Sequence, residues 1–119
     1  MKRLLFVSLL LVSCTVRKEK LAGTWQAVAY YEAGQSIQTP LEEVQLSFSP
    51  AGDYSFKSIG YYEEKGAYRV TGRFLFLTDT TVHEPLERAL KIQYLSDDTL
   101  KIGMEADGNK RAVFFCKKS

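Results

Sequence analysis

The side chains able to do chemistry here are two cysteines, one histidine and the adjacent carboxylate pairs Glu42-Glu43, Glu63-Glu64 and Asp97-Asp98. Neighbours on an extended chain point to opposite faces, so such pairs do not form a shared acid/base site. They read as turn residues and solvated edges. His83 stands beside Glu84 and Pro85 with no second histidine in the chain. It cannot build a metal site alone, nor a nucleophile–base–orienter set with the many Ser and Thr. The expectation is therefore a protein that is not an enzyme and uses no cofactor. Cys116 reads as a small buried apolar residue near the end of the last strand, the alternative being a reactive or intermolecular thiol. Cys14 is different, because it follows Leu11-Val12-Ser13 at the end of an apolar run.

That run begins with the basic Met1-Lys2-Arg3 and is apolar from Leu4 to Leu11, broken by Ser8. A charged start, a short apolar stretch and small residues before a cut make a secretory signal. The run is too short to cross a bilayer, which takes about 20 apolar residues. Leu11-Val12-Ser13-Cys14 resembles a bacterial lipobox. The resemblance implies a diacylglyceryl group on the Cys14 thiol and cleavage just before it. It further implies anchoring in the bacterial cell envelope, at the outer membrane, facing the periplasm or the surface. A thioether sulfur cannot pair, so Cys116 is left without a disulfide partner.

Charge removes other partners. Lys2 and Arg3 are two of 16 basic side chains; without them 14 basic face 14 acidic ones. A neutral domain exerts no long-range pull on nucleic acid or anionic lipid, so nucleic acid is not an expected partner. Membrane attachment then depends on the acyl chains.

The organisation predicted is a signal over 1–13, a lipidated tether over 14–20 and one domain over 21–118. Thr15 to Lys20 is mostly polar and should be mobile. From Leu21 onward the apolar residues recur with a period near two, the mark of strands. Eight strands are predicted: Leu21–Glu32, Glu43–Ser49, Tyr54–Tyr61, Glu64–Val70, Arg73–Asp79, Glu87–Leu95, Thr99–Ala106 and Lys110–Lys117. Inward faces are assigned to Trp25, Ala27, Ala29 and Tyr31, to Val44, Leu46 and Phe48, to Tyr54 and Phe56, and to Tyr68 and Val70. Leu90, Ile92 and Tyr94 are placed together on one face of their strand. One helical turn fits at Glu84–Arg88, and no longer amphipathic helix is visible. Short links imply an antiparallel meander, and closing the last strand onto the first removes both edges. The expected class is all-β, a small eight-stranded antiparallel up-and-down barrel. A sandwich is the competitor, but Greek keys need long crossovers that this chain lacks.

The first strand opens with Leu21-Ala22-Gly23-Thr24-Trp25. This resembles the Gly-x-Trp start of the lipocalins, and more closely the short lipocalin-like lipoproteins of Bacteroidetes type. The turn Phe48-Ser49-Pro50-Ala51-Gly52-Asp53-Tyr54, the stretch Gly66 to Leu75 and the late Leu100-Lys101-Ile102 extend the likeness over about Leu21–Lys117. META-type exported domains also start in this way but carry a mid-chain Gly-Cys-Asn, which is missing here. The lipocalin resemblance implies a barrel end closed by Gly23 and Trp25, with a basic residue of the last strand over the indole. Lys117 or Lys118 holds that place, where the family usually has arginine. The family disulfide is missing and the loops are shorter.

Ala27, Ala29, Tyr31, Tyr54, Phe56, Tyr68 and Tyr94 are the candidate ligand lining. Small residues leave room, and tyrosines bring an apolar ring with one hydroxyl, which suits a small hydrophobic or amphipathic ligand. Eight strands enclose an interior that side chains can just fill, so a filled barrel is the competing arrangement. A filled barrel would suit a lipoprotein that binds an envelope protein partner, as an inhibitor or assembly factor. The Ile59-Gly60-Tyr61-Tyr62 patch and Val113/Phe115 are its candidate contacts.

Overall fold

The computed structural model describes residues 16–106 and 108–118. The expected signal and Cys14 lie outside these residues. The elements are a helical turn α1 (Lys18–Leu21) and nine strands: β1 (Gly23–Glu32), β2 (Gln35–Ser36), β3 (Gln45–Phe48), β4 (Asp53–Ser58), β5 (Tyr62–Thr71), β6 (Phe74–Asp79), β7 (Glu87–Leu95), β8 (Thr99–Ala106) and β9 (Asn109–Lys118). The two-residue β2 only folds back on the end of β1, with Tyr31 opposite Ser36. The other eight run antiparallel in chain order, and β1 also pairs with β9 from Thr24–Lys118 to Glu32–Arg111. The sheet is therefore a closed eight-stranded barrel, all-β and up-and-down. Closure leaves no unpaired strand edge between β9 and β1.

Inside sit Trp25, Ala27, Val44, Leu46, Phe48, Tyr54, Tyr68, Leu75, Leu77, Ile92, Leu100, Ile102 and Phe115, together with Leu21. Period two accounts for most of them, since alternate residues of each strand face one side. On β6 Leu75 and Leu77 point in, and Phe74 is exposed.

Two β-bulges change the alternation where the sequence cannot show it. In β1 the register against β9 slips between Ala27 and Ala29: Ala27 opposes Phe115, and Ala29 opposes Phe114. Phe115 is buried inside, whereas Phe114 packs under Lys101 on the outer surface. Val28 is the extra residue, and every later β1 side chain swaps faces. Ala29 and Tyr31 therefore lie outside, and Tyr31 packs edge-on to Phe114 with ring centroids 5.7 Å apart. In β7 the register against β8 slips between Ile92 and Tyr94. Ile92 is buried, Tyr94 is 54% exposed, and Leu95 packs on the core instead. The inward assignments of Ala29, Tyr31 and Tyr94 are corrected by these two slips.

The expected free tether is also different. Lys18-Glu19-Lys20-Leu21 are good helix formers and make one turn beneath the barrel. Leu21 is fully buried, and the Val16 amide donates to the Gly72 carbonyl at 3.0 Å. The turn ends where Gly23 takes φ +126°, a conformation that side chains with a Cβ rarely adopt. Glu84–Arg88 forms no helical turn: β7 starts at Glu87, with Arg88 opposite Leu77.

Candidate functional site

The two ends of the barrel are built for different tasks. At the end where α1 lies, the Trp25 indole N–H donates to the Leu21 carbonyl at 2.9 Å. Lys117 Nζ stands 5.3 Å from the Trp25 ring, a cation–π contact made across the β1–β9 seam. A Cβ on Gly23 would lie 2.9 Å from Lys117 Cε, so glycine is what lets the lysine stem cross the strand. Tyr68 joins this end: its ring meets Phe48 edge-on, Lys18 Nζ lies 5.2 Å from it, and its hydroxyl donates to the Ser49 carbonyl at 2.7 Å. This end is packed shut.

The opposite end is reached by the connection after β1 and by the β4–β5, β6–β7 and β8–β9 turns. Below it is a cavity of about 380 Å³. This lies within the range typical of small-molecule sites, about 300–1,000 Å³. Its walls are apolar, chiefly Leu46, Phe56, Leu77, Leu90, Ile102 and Phe115, with Val44, Met104 and Val113 completing them. Its charged members are Arg88 and Glu105.

Arg88 is not free in this wall. It is ion-paired with Glu64 of β5, and Glu64 is only 2% exposed. Two tyrosines complete the carboxylate's shell. Tyr54 donates to Oε2 at 2.6 Å and Tyr62 donates to Oε1 at 3.0 Å. A buried carboxylate is tolerable only with such partners. Burial, and then the hydrogen bond to Glu64, push the Tyr54 hydroxyl well above the ordinary tyrosine range. Tyr62 is raised first by its own hydrogen bond to Glu64. Asp79 is close enough to feel Arg88, although the hydroxyl and amide of Thr81 do most to hold its carboxyl low. A second set of the same type stands at the far ends of β1 and β9. There Tyr30 donates to Glu32 at 2.7 Å, and Arg111 lies 3.4 Å from the same oxygen.

Of the candidate lining residues, Phe56 lines the cavity. Ala27, Tyr54 and Tyr68 are inside the barrel but belong to its packing. Ala29, Tyr31 and Tyr94 are outside. Val113 and Phe115, candidate contacts for a partner, face inward and wall the cavity. Cys116 is exposed, not buried. Glu64, grouped with the solvated pairs, is buried, while Glu63 faces out and pairs with Lys65 at 3.3 Å. The signal for Glu64 was available: it shares parity with Tyr68 and Val70, both read as inward. Arg88 likewise shares parity with Leu90 and Ile92, but its pairing with Glu64 had no signal, because it depends on a residue 24 positions away. Among the described residues no three His, Cys, Asp or Glu side chains converge to hold a metal.

The fold is similar to that of a lipocalin-like protein from Bacteroides uniformis, with a TM-score of 0.63 and 23% sequence identity over 83% of this chain and 99% of that one. No protein-family model matches the chain, and the curated proteins give no match. The likeness speaks for the fold: a lipocalin-like barrel.

Proposed function

We propose that this chain is a lipid-anchored exported binding module that takes one small hydrophobic or amphipathic molecule into its barrel. The observation that carries the reading is the 380 Å³ cavity with apolar walls, open at one end and shut at the other by Trp25 and α1. A side-chain-filled barrel would leave no such space. The lipocalin-like architecture supports the same class, since that fold is typically used for binding rather than catalysis. The anchor is carried by Leu11-Val12-Ser13-Cys14 after a short apolar run, and it would hold the domain in a bacterial cell envelope, at the outer membrane.

A second reading, an envelope protein partner, rests on the side chains exposed at the open end. Tyr61 is 99% exposed and Leu86 75%, with Ile59 and Tyr62 nearby in the β4–β5 turn. Exposed aromatics of this type favour protein contacts.

Native mass spectrometry on protein taken from its host tests the first reading. A retained small molecule that is lost on filling the cavity is the expected result. An interior that binds no apolar probe would overturn it. The intact mass of the membrane-extracted protein tests the anchor: a first residue Cys14 carrying fatty acyl groups is expected, and an unmodified one would remove it.

A further inference from the structure

The polar group in the cavity wall narrows the ligand class, on the premise that the cavity is a binding site. We infer that the cavity accepts uncharged amphiphiles, such as an alcohol, ester or ketone on an apolar chain, and discriminates against the corresponding carboxylates. Arg111, opposite Met104 nearer the rim, is ion-paired with Glu32 at 3.4 Å, so a ligand carboxylate in the cavity would need Arg88, the cation among the lining residues. The charge of Arg88 is already matched by Glu64, which is buried and held on both oxygens by Tyr54 and Tyr62.

A ligand anion has two courses, both unfavourable. It can displace Glu64, which leaves a buried carboxylate without its cation, a strongly destabilised state. Or it can share Arg88, which sets two carboxylates against one guanidinium. Asp79, within reach of Arg88, adds further negative charge on the same side. Like charges in a partly desolvated space repel with little screening. An uncharged acceptor meets neither obstacle. A guanidinium carries five N–H donors, and the contact with Glu64 is made through Nη2, so a ligand hydroxyl or carbonyl oxygen can accept from another N–H without disturbing the pair.

The test is competition on the chain from Thr15 to Ser119, which contains every described barrel residue. The uncharged fluorophore N-phenyl-1-naphthylamine reports occupancy, and decanol, methyl decanoate and decanoate displace it at neutral pH. Decanol and methyl decanoate should bind at least about tenfold tighter than decanoate, a difference of ~1.4 kcal/mol. Solubility in an apolar cavity could produce that order alone, so two variants separate the causes. Asp79→Asn, at the end of β6, and Glu64→Gln each remove one negative charge near Arg88. Each should tighten decanoate several-fold relative to methyl decanoate. Decanoate binding equally or more tightly than the ester, or variants that leave decanoate unmoved, would overturn the inference and leave the binding reading intact. A protein that binds neither the fluorophore nor any competitor would overturn both.

Discussion

Arg88 and Glu64 meet although their strands are not neighbours: β7 and β5 are separated by β6, whose inward Leu77 lies opposite Arg88. The contact ties three strands together at the open end of the barrel. It also places the charged group of the cavity wall beside a carboxylate that is out of water. Removing the cation leaves that carboxylate with its two tyrosines only. Arg88→Gln should lower stability by about 1–3 kcal/mol, the usual cost of an unsatisfied buried polar group. Urea melts check it, and the double variant Arg88→Gln/Glu64→Gln should recover part of the loss.

The tyrosines on Glu64 set the alkaline limit. The Tyr54 hydroxyl is raised by burial and then by Glu64, and that of Tyr62 first by its hydrogen bond to Glu64, so the folded state holds their protons more tightly than the unfolded chain does. At neutral pH both states are protonated, and no stability is lost. Above about pH 10, where unfolded tyrosines ionise, the unfolded chain binds fewer protons and stability falls as pH rises. Tyr54→Phe should flatten this alkaline slope while lowering neutral-pH stability by about 1 kcal/mol. Thermal melts from pH 7 to about 11 measure both effects; an unchanged slope would contradict the assignment.

Filling the cavity separates binding from folding. Met104→Trp puts a large ring on the cavity wall near its open end. The variant should keep a melting temperature within a few degrees of the parent, about 1 kcal/mol of stability, and lose binding of an apolar fluorophore. Retained binding would place the ligand elsewhere.

Close approach of β5 to β6 leaves no room at Gly66. A Cβ there would stand 1.8 Å from the Thr78 carbonyl oxygen, which is backbone and cannot swing aside. Gly66→Ala should cost about 3 kcal/mol or more through forced separation of the two strands, well above the range for an ordinary surface change. A melt within 1 kcal/mol of the parent would show that the strands can part.

The β1 bulge is testable by deletion. Val28 is 52% exposed, so Val28→Thr should change stability by no more than about 0.5 kcal/mol. Deleting Val28 removes the extra residue, so Ala29 follows Ala27 directly, still opposite Phe114, and Tyr30 still faces in; the domain should stay folded, with stability changed by about 0.5–3 kcal/mol through the lost bulge. Circular dichroism and denaturant melts measure both.

How much was legible follows from what is local. Alternation of apolar and polar residues is set by the chain alone, and it identified eight strands, the short antiparallel links and most core positions from Trp25 to Ile102, but on the last strand it offered Val113 and Phe115 to a partner and buried Cys116 instead. The turn at Ser49–Asp53 and the meander order followed from neighbouring residues in the same way. Bulges are not local. An extra residue is absorbed only where the partner strand forces two residues against one, so Val28 and Gln93 became visible only when β9 and β8 were paired with their neighbours. Those slips sent Ala29, Tyr31 and Tyr94 outside. The union of Arg88 with Glu64 likewise belongs to the closed sheet, since it depends on a strand between them. The sequence by itself determined a barrel of alternating strands. The tertiary structure decided which tyrosines face in, where space remains and which charges border it, because those depend on register and closure between segments far apart in the chain.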